Sequence, residues 1–347
     1  MDRPYTEKGT GNGIVTASRV RLIRNVDGYP FDQKLQPDEK EALMCRIQEA
    51  FADISGAMDT QFQTVSLTDA GADRRESLLE RRLLNSAAAK EGGAVSLIHS
   101  ADDHISIILG GEDHIRVQFM STGDRLGDLY EELNRLEDYI EQKLDFAFDD
   151  KYGYLTPYPT NVGTGFRAAV TLHLPIIAST KQFARLASDM GRFGVDVTGA
   201  NGEDGEDPAA MYEVSSRRTL GMSEEESISL VRQMAQKLAS SEMRLETVSA
   251  RDHRLEMEDE AYKAYGMLRY ARKLTYREAL VYMSRLRMGI RSGVINLQSP
   301  VELYGLMLET GPAGMKLLAG KMGCDENAAR AQYIRSRLPG LSEGERL

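Results

Sequence analysis

Apolar residues recur every three or four positions in several stretches of the chain, as in amphipathic α-helices. Residues 38–54 and 124–148 keep this spacing over several turns, and residues 181–190 keep it over a shorter length. A further long helix is predicted to begin near Ser223. The sequence SEEES places this serine three residues before a glutamate, as in a capping box.

Shorter apolar runs predict β-strands between these helices. Residues 105–109 (ISIIL) and 115–120 (IRVQFM) flank a turn that contains glycine, which indicates a β-hairpin. Residues 168–177 (AAVTLHLPII) form a β-rich run closed by Pro175, and residues 212–216 (YEVSS) form a short one. Helices and strands together predict an α+β arrangement.

The pattern changes after about residue 257, where only helical segments with short glycine and proline breaks remain. The sequence therefore predicts an α+β body at residues 1–250 and a helical domain at residues 251–347. A chain of 347 residues is long enough to bury one large core or two smaller ones.

Composition narrows the class of protein. The formal net charge is -10, which disfavours a general nucleic-acid-binding surface. The chain has two cysteines, Cys45 and Cys324, so a reducing compartment is a better expectation than a disulfide framework. The sequence shows no signal-peptide pattern and no apolar run of about 18 residues. We therefore expect a cytoplasmic protein that is not inserted in a membrane.

Three arginines suggest a binding role. Arg19 and Arg21 are two residues apart, so on a strand they lie on the same face. Like charges side by side repel, and the alternatives are a shared anion or two solvated surface arginines. Arg167 stands at the start of a strand that is predicted to be buried, where a charge needs a partner.

The predicted hairpin turn gathers groups that can move protons. Glu112, Asp113, His114 and Arg116 lie on this turn or directly after it. The cluster suits proton transfer, and it also suits an ordinary solvated turn. With the three arginines, it suggests a polyanion held beside a carboxylate, which is what phosphoryl transfer requires.

Common nucleotide-binding and metal-binding patterns are missing from the sequence. It contains no P-loop motif GxxxxGK[ST], neither of the protein-kinase motifs H-R-D and D-F-G, and no zinc-like spacing of histidines and cysteines. If the protein transfers phosphoryl groups, it does so on a different nucleotide-binding fold.

Five segments carry motifs that occur together in one known family. They are ASRVRLIRNVDGYPF (17–31), GGEDHIRVQ (110–118), LDFAFDDKYGYLTPYPTNVGTGFRAAVTLHLP (144–175), GANGEDGED (199–207) and YEVSSRRTLGMSEEE (212–226). In this order they resemble the ATP:guanido phosphotransferases, which include arginine and creatine kinases. Among these, the chain is most similar to the bacterial protein-arginine kinases of the McsB type, whose helical C-terminal domain the tail also resembles.

The resemblance implies a fold and an activity. The fold is the guanido kinase catalytic domain, a glutamine-synthetase-like antiparallel β-sheet flanked by helices, followed by an all-α C-terminal domain. The activity is transfer of the γ-phosphoryl group of ATP, bound with Mg²⁺, to arginine side chains of proteins. The magnesium ion is expected to take no ligand from the protein.

The resemblance also assigns roles to individual residues. Glu112 matches the catalytic carboxylate that orients the substrate guanidinium and accepts its proton, and Glu203 matches a second acidic position. A free guanidinium has a pKa above about 12, so its attack on phosphorus needs such a carboxylate. Tyr158 lies at a position that faces the guanidinium. The expected ATP-binding residues are Ser18, Arg19, Val20, Arg21, Arg116, Arg167, Ala168, Ala169, Val170, Thr171, Thr198, Gly199 and Gly202.

The sequence departs from the family pattern at this expected site. Gly110 and Gly111 replace the first two residues of a turn that commonly reads NEEDH. Tyr158 replaces a cysteine, Thr198 replaces a phosphate-binding arginine, and the adenine-side histidine aligns with Ala87. A hydrogen bond to a charged group contributes roughly 1.5–3 kcal/mol, so the change at residue 198 predicts weaker phosphate binding.

The tail departs from the family pattern as well. The RDxxRA motif, with which the protein-arginine kinases bind phosphoarginine, aligns with Glu326, Asn327, Arg330 and Ala331 and the two alanines between them. Because a carboxylate at residue 326 repels a phosphoryl group, this allosteric site is expected to be degenerate.

Two functions remain open from the sequence. One is an active protein-arginine kinase in protein quality control and stress response. The other is a catalytically impaired paralogue that regulates or scaffolds such a kinase. A metabolic kinase for free arginine is disfavoured, because no counterpart of its N-terminal domain precedes the motif at residue 18. The resemblance implies protein substrates with exposed arginines, a homodimer, a zinc-binding activator protein and Clp protease components as partners.

Overall fold

The computed structural model of the protein describes residues 13–201 and 207–342. Within these ranges the strands are β1 (Val15–Arg24), β2 (Phe62–Ser66), β3 (Ser96–Ser100), β4 (Ile105–Leu109), β5 (Ile115–Thr122), β6 (Phe148–Asp149), β7 (Gly153–Tyr154), β8 (Phe166–His173), β9 (Val195–Gly199) and β10 (Met211–Ser216). The helices are α1 (Pro37–Ala50), α2 (Ile54–Ala57), α3 (Ala72–Glu80), α4 (Ser86–Ala89), α5 (Leu126–Glu141), α6 (Phe183–Arg192), α7 (Glu224–Asp252), α8 (Arg254–Tyr270), α9 (Tyr276–Arg291), α10 (Leu303–Glu309), α11 (Pro312–Met322) and α12 (Glu326–Arg337).

Eight of the described strands form one antiparallel sheet in the order β2-β3-β4-β5-β1-β8-β10-β9, and β6 pairs with β7 separately. β1 lies in the interior of the sheet, between β5 and β8. Side chains alternate along a strand, so β1 directs Val20 and Leu22 to one face and Arg19 and Arg21 to the other. This alternation separates the hydrophobic core from the candidate site.

The two faces of the sheet have different coverings. On one face, Val20 and Leu22 join a large hydrophobic cluster to which α1, α5, α6 and α7 contribute apolar side chains. Each fully buried leucine in such a cluster contributes roughly 1.5–3 kcal/mol. On the opposite face, Ala17, Met120 and Met211 pack against α8, α9 and α10. The helical tail therefore covers part of the face that carries the arginines.

The structure confirms the predicted hairpin and the predicted start of the long helix α7. β4 pairs with β5 across the glycine-containing turn. The hydroxyl of Ser223 accepts a hydrogen bond from the amide of Glu226 at 3.2 Å, and the carboxylate of Glu226 accepts one from the amide of Ser223 at 2.8 Å. These two bonds are the expected capping box.

Two predicted helices are shorter than the sequence indicated. The helix expected at 38–54 is interrupted, since α1 ends at Ala50 and α2 begins at Ile54. The helix expected at 124–148 ends at Glu141 as α5, because the following segment pairs with the chain beyond β1. The amide of residue 27 donates to the carbonyl of residue 145 at 2.9 Å, and that of residue 147 to the carbonyl of residue 25 at 2.8 Å.

The boundary proposed from composition, between residues 250 and 251, falls in the last turn of α7. The tail also contacts the body away from this junction. The carboxylate of Glu80, at the end of α3, accepts hydrogen bonds from the amides of Ala313 at 2.7 Å and Gly314 at 2.9 Å in α11. None of the helices in the described ranges has the length and apolar character that crossing a membrane requires.

Candidate active site

Four arginines predicted to bind phosphate lie on the same face of the sheet. Arg19 and Arg21 are on β1, Arg116 is on β5 and Arg167 is on β8. In the strand register, Arg21 is opposite Arg167 and Arg116 is opposite Ile23. Residues opposite each other in a sheet share a face, so the structure brings the four guanidinium groups together as the motifs predicted.

These arginines have fewer partners than buried charges normally have. Arg21 makes no hydrogen bond or ion pair with any described residue, and the Nε atoms of Arg19, Arg21 and Arg167 are buried without a hydrogen-bond partner in the described ranges. Burial and, to a lesser extent, the neighbouring arginines lower the pKa of Arg21 well below its usual value and the pKa of Arg116 to about 10. A bound anion would relieve this repulsion and satisfy the donors.

Glu213 of β10 supplies a negative charge beside these arginines. Its carboxylate forms ion pairs with Arg19 and, at 3.3 Å, with Arg82. Burial alone would raise the pKa of Glu213, but Arg19, Arg82 and Arg21 outweigh burial and lower it to about 2. Glu213 is therefore ionised at neutral pH and holds two of the arginines in place.

A cavity of about 370 Å³ opens over the arginines. Arg19, Arg21, Arg82 and Arg116 line part of it. Other lining residues come from the end of α3, from β4 and from the tail: Leu79, Leu83, Leu84, Ile108 and Tyr276. A cavity of this size with a cationic part and an apolar part suits a nucleotide, which carries charged phosphates and a flat base.

A second cavity of about 260 Å³ shares Arg21 and Arg116 with the first and also contains Glu112 and Tyr158. The carboxylate of Glu112 is exposed to this cavity, and its Oε1 accepts a hydrogen bond from the phenol of Tyr158 at 2.8 Å. A phosphoryl group bound by the two shared arginines would therefore lie where the two cavities meet. On one side it would face the first cavity, and on the other it would face a substrate group in contact with Glu112. The structure thus brings together Glu112, Tyr158 and the predicted arginines.

Buried polar contacts hold the turn that carries Glu112. The side chain of Asn25 donates to Asp113 Oδ1 at 2.8 Å and accepts from the amide of His114 at 2.9 Å. His114 Nδ1 accepts from the amide of Val26 at 3.0 Å. Burial raises the pKa of Asp113 to about 6 and lowers that of His114. Asp113 and His114, which the sequence offered for proton transfer, are therefore buried supports of the turn.

The same turn leaves little room for the side chains that the family has at residues 110 and 111. Gly110 has a φ of +67°, and a Cβ atom there would lie 2.6 Å from Met44 Sδ and 2.8 Å from Val95 Cγ2. A Cβ atom at Gly111 would lie 3.1 Å from the carbonyl oxygen of Gly93. The two glycines are thus matched to the packing of this chain.

The PTNVGTG segment forms a hydrogen-bonded loop next to Arg167. The guanidinium of Arg167 donates to the carbonyl of Thr160 at 3.0 Å and to Asn161 Oδ1 at 3.3 Å. The hydroxyl of Thr219 donates to the carbonyl of Thr160 at 3.1 Å from the far side. A Cβ atom at Gly163 would lie 2.2 Å from the carbonyl oxygen of Thr219, so only glycine allows this close approach.

The remaining predicted ATP-binding residues are not all in the cavity. Val20, Ala168 and Val170 send their side chains into the hydrophobic cluster on the opposite face, because side chains alternate along β1 and β8. Buried Ser18 donates to the carbonyl of residue 123 at 2.7 Å. Ala169, Thr171, Thr198 and Gly199 are on β8 and β9, and Gly202 and Glu203 lie outside the described residues.

In the tail, the side chain of Arg330 is buried and satisfied from within the protein. It donates to the carbonyls of Thr310 at 2.8 Å and Leu274 at 3.0 Å. It also donates to Asn327 Oδ1 at 2.6 Å and to Glu326 Oε1 at 2.5 Å. With these four acceptors in place, the guanidinium of Arg330 presents no donor set directed at a phosphoryl group.

Sequence reasoning missed three residues that line or support the first cavity. Arg82 and Tyr276 lie outside the family segments, and Glu213 lies inside one of them but was given no role. The alternation of YEVSS could have placed Glu213 on the face of Arg19, since both strands belong to one sheet. In the described ranges, no group of three or more His, Cys, Asp or Glu side chains is placed to hold a metal ion.

Comparison with known proteins agrees with this geometry. The family model described as ATP:guanido phosphotransferase, C-terminal catalytic domain, matches residues 43–245, and the model described as protein-arginine kinase McsB C-terminal domain matches residues 254–346. A protein-arginine kinase of Clostridium acetobutylicum is 32% identical over 94% of this chain and 96% of its own length. One of Symbiobacterium thermophilum is 33% identical over 95% of each chain.

A solved structure with the same fold is a duplicated taurocyamine kinase from Schistosoma mansoni with bound transition-state-analogue components. It aligns with a TM-score of 0.59 and 26% identity over 72% of this chain and 36% of its own. The two family models and the relatives match nearly the whole chain, and the arginine-lined cavities agree with them. This protein therefore belongs to the ATP:guanido phosphotransferase family and to its protein-arginine kinases.

Proposed function

We propose that the protein transfers the γ-phosphoryl group of ATP to arginine side chains of other proteins. The observation that carries the proposal is the position of Glu112. Its carboxylate lies in the smaller cavity, which shares Arg21 and Arg116 with the larger, nucleotide-sized cavity. A substrate arginine in the smaller cavity could therefore contact Glu112 while its terminal nitrogen faces a phosphoryl group bound by the shared arginines.

In the proposed reaction, a terminal nitrogen of the substrate guanidinium attacks the γ-phosphorus. An N–P bond forms, the bond from phosphorus to the bridging oxygen of ADP breaks, and the proton on nitrogen passes to Glu112. Arg21, Arg116 and Arg167 neutralise the charge on the transferring oxygens. Phosphoarginine and ADP are the products.

The residues present fit MgATP. Three buried Nε atoms without partners, on Arg19, Arg21 and Arg167, match the need of phosphate oxygens for donors. Magnesium bound with the nucleotide would supply positive charge at the transferring group. We propose that it is held by the nucleotide and water, and that Gly202 and Glu203, which lie outside the described residues, also contribute to the site.

The alternative of an impaired paralogue has less support. The four predicted arginines share one face of the sheet, Glu112 lines a cavity with three of them, and the curated relatives are protein-arginine kinases. We propose a cytoplasmic enzyme of protein quality control and stress response. A homodimer, a zinc-binding activator and Clp protease components as partners are supported by family likeness alone.

A phosphotransfer assay tests the proposal. The purified protein would be incubated with Mg²⁺, radiolabelled ATP and an arginine-rich protein, and acid-labile phosphate on that protein would be counted. We expect transfer by the wild type and a loss of at least about 100-fold in Glu112→Gln with unchanged ATP affinity. Transfer that is absent in the wild type, or equal in Glu112→Gln, would overturn the proposal.

A further inference from the structure

The end of helix α3 has an arginine where glycine is the usual residue. The amide of Arg82 donates to the carbonyl of Leu79 at 2.8 Å, and that of Leu83 donates to the carbonyl of Leu78 at 3.0 Å. This pair of bonds is a Schellman motif, in which the residue after the cap is left-handed. Arg82 has a φ of +61°, a conformation that costs side-chain-bearing residues more than glycine.

The side chain of Arg82 points into the larger cavity. Arg82 lines it together with Arg19, Arg21 and Arg116. Its Nη1 lies 3.3 Å from Glu213 Oε2, and its side chain is 14% exposed. Its Nη2 donates to a carbonyl in the segment after β9, that of residue 200, at 2.9 Å. Arg82 therefore reaches across the cavity from α3 towards β10.

Glu213 links this arginine to the position where the family pattern has lost one. In the register of β10 and β9, Glu213 is directly opposite Thr198. The exposed Thr198 brings no charge to the site, and the second cation that pairs with Glu213, besides Arg19, comes from Arg82. Five arginines, including Arg82, then face the two cavities, with Glu213 as the one carboxylate that pairs with two of them among the described residues.

We propose that Arg82 binds the phosphates of the nucleotide and supplies the positive charge that Thr198 does not. The inference rests on the proposed function, since it concerns the same ATP site. The left-handed backbone at residue 82 is then explained: it directs an arginine into the cavity at a place where glycine would suit the helix end better. The pair with Glu213 holds the guanidinium ready for the phosphates.

The substitution Arg82→Gly separates binding from folding. Glycine is favoured at a left-handed helix end, and Glu213 keeps its pair with Arg19, so the variant should stay folded; thermal unfolding beside the wild type checks this. By calorimetry, we expect it to bind ATP and ADP about 10- to 100-fold more weakly. Adenosine, which has no phosphate, should bind both proteins equally.

A second substitution restores the charge from the opposite side. Thr198→Arg should recover most of the ATP affinity in the Arg82→Gly background, because residue 198 faces Glu213. In the wild type, the same substitution should strengthen ATP binding by a smaller factor than in the Arg82→Gly background, because Glu213 already pairs with Arg82 there. Thr198→Gln is the matched neutral control and should restore nothing.

The outcomes distinguish this inference from the proposed function. Wild-type ATP affinity in Arg82→Gly, or an equal loss of adenosine and ATP affinity, would overturn the role of Arg82 and leave the kinase proposal intact. If the wild type binds ATP and transfers phosphate but Thr198→Arg restores no affinity to Arg82→Gly, only the inference about Arg82 is overturned. A wild type that binds no ATP would overturn both.

Discussion

The phenol of Tyr158 donates a hydrogen bond of 2.8 Å to Oε1 of Glu112. That bond raises the pKa of Tyr158, so the phenol is neutral and remains a donor at physiological pH. It engages one of the two oxygens that a substrate guanidinium would use for a two-point contact with the carboxylate. Tyr158 therefore competes with the substrate that we propose for this cavity.

We expect Tyr158→Phe to be a better kinase than the wild type. The ring remains, and Oε1 of Glu112 is released for the substrate guanidinium. Because the phenol no longer competes for this oxygen, kcat/KM for a protein substrate should rise about 2- to 10-fold, mainly through KM. Tyr152→Phe, which removes an exposed phenol on the nearby β6–β7 turn, is the control. A fall in kcat/KM would mean that the phenol orients Glu112.

The buried carboxyl of Asp113 predicts a pH-dependent stability. Its folded pKa, raised by burial from the usual 3.8 of an aspartate to about 6, exceeds that of the unfolded chain. Stability from this group is therefore fully present below the unfolded pKa and is lost as pH rises to about 6. A difference of about 2 between the folded and unfolded pKa corresponds to roughly 3 kcal/mol of folding free energy at most.

The neutral isostere should remove that dependence. Asp113→Asn can still accept the bond from Asn25 that Asp113 accepts at 2.8 Å. Relative to the wild type, its free energy of unfolding should increase between about pH 4 and pH 6 and keep that advantage above. Urea unfolding at several pH values measures the difference, with exposed Asp150→Asn as the control. Parallel profiles for wild type and Asp113→Asn would contradict the prediction.

The sequence predicted the parts of the site that depend on local patterns. Arg19 and Arg21 follow from the two-residue period of a strand, and Glu112 follows from a hairpin turn between two apolar runs. Arg82 could not be found in this way, because it meets Glu213 across 131 residues of sequence. Its position depends on how α3 ends and where that end packs, which are tertiary properties.

The helical tail also contributes to the site in a way that the sequence did not predict. Composition separated it from the body, yet Tyr276, the first residue of α9, lines the nucleotide-sized cavity. Tail helices pack on the sheet face that carries the arginines, and this contact between distant segments brings Tyr276 there. A single sequence gives the periodicity of α9 but not the surface on which it packs.

Tyr276 gives a prediction about the tail and the nucleotide. Burial raises the pKa of Tyr276 to about 12, so the side chain that lines the cavity is uncharged. Contact with an aromatic face contributes roughly 0.5–1.5 kcal/mol, so Tyr276→Ala should weaken ATP binding about 3- to 10-fold. Tyr276→Phe keeps the ring and should bind ATP like the wild type. Equal affinity in Tyr276→Ala would show that the nucleotide does not contact the tail.

The last prediction concerns Arg330, the arginine that remains from the family's phosphoarginine motif. Its buried guanidinium meets four acceptors, from Thr310, Leu274, Asn327 and Glu326. Replacement by methionine keeps much of the side-chain volume but leaves these acceptors without their donor. We expect Arg330→Met to lower the free energy of unfolding by about 2–4 kcal/mol, because the carbonyls of Thr310 and Leu274 lose their hydrogen-bond donor.

A matched surface arginine makes this result interpretable. Arg337 is on the same helix with its side chain 42% exposed, and Arg337→Met should change stability by less than about 1 kcal/mol. Urea unfolding of the two variants compares them directly. If Arg330→Met were no more destabilising than Arg337→Met, the internal bonds would contribute little, and the guanidinium of Arg330 would be available to phosphoarginine. A large difference instead means that this arginine now stabilises the tail, because a guanidinium that must leave four acceptors cannot bind a ligand without that cost.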